Sequence, residues 1–323
     1  MEPGVPAAFS PISLTFPEPA KDAKTSGRRT VLADWIASPE NPLTYRVLAN
    51  RLWQHHFGRG LVLTSGNFGR SGAAPSHPEL LDYLAMTLVA NDGKIKPLHK
   101  AILLSATYQQ SSRHEPNAAA VDPENALLWR QNKRRLEAEA VRDSILAIAG
   151  TLNPAMGGPG VKPWIRADLL PTSQRNKWPV IAAEGPEHWR RSVYIYTKRQ
   201  LLFPLMELFD SPTTTDVCDR RTSSVVPTQA LLLMNDDFVA DQAKRFAERL
   251  RKENGASLEK IVDAAHRLAL GRDPSKDRVM DAIAFLKKQT EEHRSAGVAD
   301  AEKEALIDFC NLLLNCNEFI FLD

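Results

Sequence analysis

No run of roughly 18 apolar residues, the length a membrane-spanning helix needs, occurs anywhere in these 323 residues. Nothing therefore reads as a membrane span. Cysteine is scarce: Cys218, Cys310 and Cys316 are an odd set, and their spacing is neither a zinc pattern nor a disulfide framework. Cys-x-x-Cys-His is missing, so no c-type haem attaches within this chain. An excess of one charge is missing too. Lys and Arg number 41 against 39 Asp and Glu, a formal net charge of +2, which gives no global field to recruit nucleic acid or an anionic membrane. His-Glu-x-x-His and Gly-x-Ser-x-Gly do not occur. Gly157-Gly158-Pro159-Gly160 lacks both the Gly-Lys-Ser/Thr ending and the preceding strand of a phosphate loop, and reads as a flexible turn. The first twenty residues have neither the charged start nor the apolar stretch of a secretory signal. The chain is expected to start at a cut inside a longer protein.

What is present is an ordinary globular balance, 43% hydrophobic and 25% charged, enough for a sizeable core. Prolines make residues 1–27 a linker-like extended segment. From 28 to 323 the spacing predicts a single helical domain. Arg28–Ala37 reads as a short helix with Leu32 and Trp35 inward. Thr44–Phe57 is amphipathic, with Tyr45, Leu48, Ala49, Leu52 and Trp53 on the apolar side and Arg46, Asn50, Arg51, Gln54 and His55 opposite; Gly58 and Gly60 end it. Ser76-His77-Pro78-Glu79 carries a capping-box pattern ahead of Leu80, Leu81, Leu84 and Leu88. A further helix begins near Pro97 with Leu98, Ile102, Leu103 and Ala106 inward. A charged helix spans about Lys133 to Thr151. Residues 152–190 form a long irregular insert. Ser192–Tyr196 is the best strand candidate, and Leu201–Phe209 a short helix. The last third predicts helices at Pro227–Met234, Asp236–Lys252, Leu258–Leu270, Lys276–Gln289 and Ala301–Leu314. The predicted fold class is mainly α, an irregular multi-helix array with one small β element.

Several segments together carry a family resemblance. They are Asn50-Arg51-Leu52-Trp53-Gln54-His55-His56-Phe57-Gly58, Pro75-Ser76-His77-Pro78-Glu79-Leu80-Leu81-Asp82, Arg134-Arg135-Leu136-Glu137-Ala138-Glu139, Arg190-Arg191-Ser192-Val193-Tyr194, Phe209-Asp210-Ser211-Pro212, Pro227-Thr228-Gln229-Ala230-Leu231 and Asn317-Glu318-Phe319. In this order they resemble the planctomycete-type domain of unknown function known as DUF1553. One departure is visible: Thr222–Pro227 replaces the more usual Thr-Asn-Thr-Pro-like stretch. The resemblance implies an extracytoplasmic, multidomain parent, in which this domain follows a separate cytochrome domain. Haem belongs there, and no cofactor or metal is expected within this chain. The resemblance brings no catalytic residues with it.

The chemistry candidates each have a bland counterpart. His55 and His56 point about 100° apart on a helix and do not readily share one metal; one of them with His77 or His99 is the metal reading, helix packing the preferred one. His77 beside Glu79 would make an acid–base pair, yet capping accounts for the same residues. Arg135, Glu139 and Arg142 crowd one predicted helix, where Arg135–Glu139 and Glu139–Arg142 have i,i+4 and i,i+3 spacing. With Arg190, Arg191, Arg220 and Asp210 they form either an internal ion-pair network, the preferred reading, or an anion pocket. Cys218 has Arg220 and Arg221 nearby, but no His adjoins it in sequence, so a thiol nucleophile is not the preferred reading. Trp164, Trp178 and Trp189 either stack on sugar rings or pin the insert to the core. Two functions stay open. One is an accessory or binding module acting at a polysaccharide or a partner protein. The other is a hydrolase or redox-linked enzyme using His77, Glu79, Asp210 and the arginines. No nucleic acid partner is expected; the parent's N-terminal domains are.

Overall fold

The computed structural model describes residues 16, 22, 24–170, 178, 179, 181 and 183–322. Most of the expected linker at 1–27 lies outside them, as do 171–177, 180 and 182 of the insert. Among the described residues there are fourteen α-helices and one two-stranded antiparallel sheet. The molecule is thus mainly α with one small β element. Among the described residues no helix is long and apolar enough to cross a membrane. The chain divides into two compact units, Met1–Lys133 and Arg134–Leu322, where the sequence suggests one helical domain.

The first unit contains α1 (Arg28–Ala37), α2 (Thr44–Phe57), α3 (Pro78–Ala90), α4 (Ile95–Leu103), α5 (Ala106–Gln109) and α6 (Pro116–Val121). Its core joins Ala49, Trp53 and Phe57 of α2 to Leu81, Leu84 and Leu88 of α3 and Leu98 and Ile102 of α4. Gly58, at φ 76°, stops α2 in a left-handed turn whose N–H returns to the Gln54 carbonyl. Two residues assigned to the polar side of α2 are buried instead. The Asn50 side chain donates to Val62 O and accepts from Val62 N, at 3.0 and 2.8 Å, so its amide completes the backbone of the segment that follows. A Cβ at Gly60 would lie 2.7 Å from Asn50 Nδ2, which is why glycine stands there. Gln54 Oε1 accepts a hydrogen bond from the Ser65 hydroxyl.

Three smaller expectations change here. No residue of α1 is buried: Leu32 is exposed and Trp35 half-buried. Leu103 also faces out, because the one-sided α4 buries only Leu98 and Ile102, and Ala106 is exposed at the start of the separate helix α5. The N-cap of α3 is His77, with no side-chain cap, so the capping-box pattern is out of register by one residue.

The second unit contains β1 (Arg134–Arg135), α7 (Ala138–Ala149), α8 (Pro204–Leu208), α9 (Pro227–Asn235), α10 (Asp237–Asn254), α11 (Leu258–Leu270), α12 (Lys276–Ser295), α13 (Ala301–Asn315), α14 (Asn317–Ile320) and β2 (Phe321–Leu322). Helix α13 packs on α10 and α12, and α10 also packs on α7. Val141, Ile145, Phe246, Leu250, Val262, Phe309 and Leu313 fill the space between them. Asp236 caps α10 by accepting from the amides of Phe238 and Val239 at 3.0 and 3.4 Å.

The small β element is not where the sequence placed it. Ser192–Tyr194 is a 3-10 turn, and Ile195 makes only an isolated bridge to Val161. The sheet pairs Arg134 with Leu322 and Arg135 with Phe321. Leu136 N extends that pairing to Ile320 O at 2.7 Å, so these amides are spent on β2 and the charged helix starts only at Ala138.

Candidate functional site

The charged residues singled out in the second unit come together as three connected clusters. In the first, β1 fixes Arg135, whose side chain is only 3% exposed. Its Nη2 donates to Phe209 O at 3.0 Å and to Asp210 Oδ2 at 2.8 Å, and the guanidinium lies over the Phe209 ring. Asp210 follows α8 in the left-handed region, at φ 60°. That turn aims its carboxylate at Ser224, which donates through both N–H (2.7 Å) and Oγ (2.9 Å). Burial pushes the Asp210 carboxyl up, but the Ser224 and Arg135 contacts outweigh it and leave the group below its ordinary value. Gln229 locks the loop by donating to Leu208 O and Ser224 O. Arg135 Nε and Nη1 are buried and have no partner among the described residues.

In the second cluster, Arg221 holds both oxygens of Glu139 at 2.6 and 3.0 Å and also approaches Glu137 at 3.2 Å. Burial raises the Glu139 carboxyl; the Arg221 hydrogen bonds overcome it, and the net shift is downward. The i,i+4 and i,i+3 pairs expected on one helix do not form. Arg135 sits on β1 and is spent on Asp210, while Arg142 lies on the buried face of α7, away from Glu139 and its partner Arg221.

The third cluster is built on main chain. Arg142 is fully buried, and burial lowers its pKa. No carboxylate among the described residues pairs with it. Its fork donates to His188 O (2.8 Å), Arg190 O (3.0 Å) and Ser192 Oγ (3.3 Å). Arg190 then donates to Ala155 O (3.1 Å), Pro159 O (3.0 Å) and Gly157 O, with its guanidinium over the Tyr194 ring. Asp143 accepts from Ser192 N at 2.7 Å and meets Arg191 at 3.8 Å. Arg220 is exposed and stands outside these contacts.

The tryptophans turn inward. Trp178 and Trp189 are 3% and 7% exposed and present no ring face to a sugar. Trp178 Nε1 donates to Pro163 O at 2.9 Å. Glu184 accepts from Trp189 Nε1 at 3.1 Å and from the Trp164 amide at 2.7 Å. Trp164 itself is half-buried. Glu184, Ser224 and Gln229 organise these contacts without a sequence signal, because Glu184 also reaches Trp164, Ser224 reaches Asp210 and Gln229 reaches Leu208, all well separated along the chain.

His77 and Glu79 belong to the first unit and Asp210 to the second. His77 Nδ1 lies 3.0 Å from Ser76 Oγ, and Glu79 is exposed. Of the histidine combinations, His56 Nε2 and His99 Nδ1 are 2.7 Å apart. No group of three or more His, Cys, Asp or Glu side chains among the described residues could hold a metal ion. Cys310 is buried and its thiol pushed well up, whereas Cys218 is exposed. Chemically, ionised carboxylates accept hydrogen bonds and guanidiniums donate them, so the three clusters pair internal charges and hold backbone carbonyls.

A family match covers residues 28–286, from the first residue of α1 into α12; its description is PSD1, protein of unknown function (DUF1553). No curated protein and no solved structure matches the chain. The matched span includes the Asn50–Gly58, Ser76–Asp82, Arg134–Glu139 and Arg190–Tyr194 segments, together with every partner in the three clusters. On that extent of agreement, the chain belongs to the DUF1553 family.

Proposed function

We propose that this chain is an accessory binding module of a larger exported multidomain protein, and that its ligand is a partner protein. The carrying observation is Arg142, which spends a buried guanidinium on the carbonyls of His188 and Arg190. Irregular backbone has few internal partners for its carbonyls, and each buried carbonyl left alone is costly. Arg142 and Arg190 together satisfy five such carbonyls, with Arg190 reaching Ala155, Gly157 and Pro159. Stretches 155–161 and 188–196 are thereby held in one shape. Loops fixed on a rigid helical frame are where binding surfaces are built.

The outward side chains of these stretches are mostly apolar: Met156, Val193 and Tyr196 are exposed, with Arg191 the charged neighbour, and Tyr194 Oη accepts from Gly157 N at 2.7 Å. Since Trp178 and Trp189 face the core, this surface favours a protein over a polysaccharide. On this reading the haem of the parent sits on a separate cytochrome domain, and the whole acts outside the cytoplasm. The test is co-purification from the native full-length context, comparing the parent with Val193→Asp and Tyr196→Asp. A stoichiometric protein partner lost in both variants supports the reading. Retention on polysaccharide with no protein partner, or a partner indifferent to both changes, overturns it.

A further inference from the structure

The loop between α11 and α12 borders a cavity of about 280 Å³, away from the three clusters. It is lined by His266 and Leu270 from α11, and by Arg272, Asp273, Ser275 and Arg278 at the loop and the first turn of α12. Four features of its chemistry point the same way. First, two guanidiniums share a single carboxylate: Arg278 holds Glu318 through Nη1 and Nη2, at 2.8 and 2.5 Å, and Arg272 reaches the same group through Nη2. The Arg278 bonds take the Glu318 carboxyl down to about 2 despite partial burial, so Glu318 stays an anion and one positive charge remains in excess. Second, the neighbouring charges cancel, since Arg267 pairs with Asp273, and Lys276 and Asp277 offset one another in the first turn of α12. Third, Ser275 caps a 20-residue helix by accepting from Arg278 N, which leaves its own hydroxyl proton and the positive helix end at the cavity.

The fourth feature selects the ligand. His266 is 6% exposed, and its Nδ1 lies 2.9 Å from Val262 O one turn back on its own helix. A carbonyl only accepts, so Nδ1 is the donor of this bond, and in that tautomer Nε2 is the acceptor. His266 lines the cavity, so in that tautomer its ring offers a ligand there an acceptor.

We propose that this cavity binds a small oxyanion carrying its own O–H, the class to which hydrogen phosphate, phosphate monoesters and hydroxycarboxylates belong. The oxyanion faces Arg272 and Ser275, and its O–H donates to His266 Nε2. The volume suits a compact ligand, lying just under the roughly 300–1,000 Å³ usual for drug-sized molecules. The inference does not depend on the partner-binding surface.

Calorimetric titration of the full chain at neutral pH with phosphate, sulfate, glycolate and acetate tests it. Sulfate has the same size and charge as hydrogen phosphate but no proton to give, and acetate lacks the hydroxyl of glycolate. Phosphate or glycolate should bind at least about tenfold more tightly than its protonless counterpart. Saturation by phosphate alone assigns the phosphate class, and by glycolate alone the hydroxycarboxylate class. Arg272→Ala, on an exposed side chain, should weaken the preferred anion about tenfold, and His266→Phe should erase the preference. Should His266→Phe not fold, the wild-type comparison and Arg272→Ala still decide. Equal binding of all four anions, unchanged binding in Arg272→Ala, or no saturation below about 10 mM overturns the proposal.

Discussion

Arg142 Nη1 donates to the backbone carbonyl of Arg190 at 3.0 Å, so one buried arginine holds in place the residue whose own guanidinium staples the next loop. The arrangement makes the two side chains act in series. Removing the first frees the backbone that positions the second.

Arg142→Met should therefore destabilise the protein more than a single lost hydrogen bond would. Two buried carbonyls lose their donor, at about 1–3 kcal/mol each, while removal of a buried charge returns part of that. The expected net cost is about 2–4 kcal/mol, read as a lower urea midpoint. Arg142→Lys should recover little, because an ammonium has no fork to span both carbonyls. A midpoint unchanged in both variants would show that the insert is held by other means.

Glu139→Ala should cost about 1 kcal/mol. Taken as a deeply buried network residue, the same change would cost roughly 3–5 kcal/mol. The structure decides between these, because Glu139 and Arg221 are 31% and 34% exposed, and water reaches the guanidinium left behind. Glu137, 3.2 Å from Arg221, also remains to compensate. Urea unfolding of Glu139→Ala and of the Glu137→Ala/Glu139→Ala double variant measures both terms. A loss above about 3 kcal/mol in the single variant would restore the buried-network reading.

Acid should destabilise the second unit in a defined window. Glu318 has its folded pKa depressed from 4.5 to about 2, chiefly by the Arg278 hydrogen bonds. A depressed carboxylate contributes stability that is complete above the unfolded value and is lost as pH falls toward the folded one. Stability should thus be flat from neutral pH to about 5 and decline between about 4.5 and 2. Asp210 and Glu139 shift in the same direction and add to the fall. Glu318→Gln should flatten part of that limb without altering stability trends above it. An identical acid limb in the variant would remove Glu318 from the account.

Helix boundaries were legible wherever the signal was local. Thr44–Phe57 ends at Gly58 because only a left-handed turn fits there, and Leu258–Leu270 ends at Gly271 for the same reason. The pairing of Arg134–Arg135 with Phe321–Leu322 was not legible, since its partner lies at the other end of the second unit and the two arginines read as the start of a charged helix. An internal ion-pair network predicts carboxylate partners for Arg142, and the structure gives it backbone carbonyls instead. Charge complementarity shows in a sequence, whereas a carbonyl that lacks a donor does not. Asn50 was read as polar and therefore exposed; its bonds to Val62 reverse that, because a buried amide with both ends satisfied carries little penalty.

Asp210 separates backbone strain from side-chain pairing. At φ 60° a residue with a Cβ is strained, although Asp and Asn tolerate the left-handed region better than most. Its carboxylate also takes the hydrogen bond of Arg135, whose side chain is 3% exposed. Asp210→Asn keeps the tolerance and one acceptor oxygen but removes the charge. Asp210→Gly removes the strain along with both acceptors, and Asp210→Ala keeps the strain and loses everything else. If pairing dominates, Asn should be the mildest change, Gly intermediate and Ala the worst, with Ala costing about 3–5 kcal/mol because a buried guanidinium loses its counter-charge. If strain dominates, Gly should match or exceed the parent protein. The pairing order is expected, because the strain in a left-handed Asp is of order 1 kcal/mol, less than the loss of a buried counter-charge. Thermal or urea unfolding of the three variants gives the order directly, and a Gly variant as stable as the parent would reverse the conclusion.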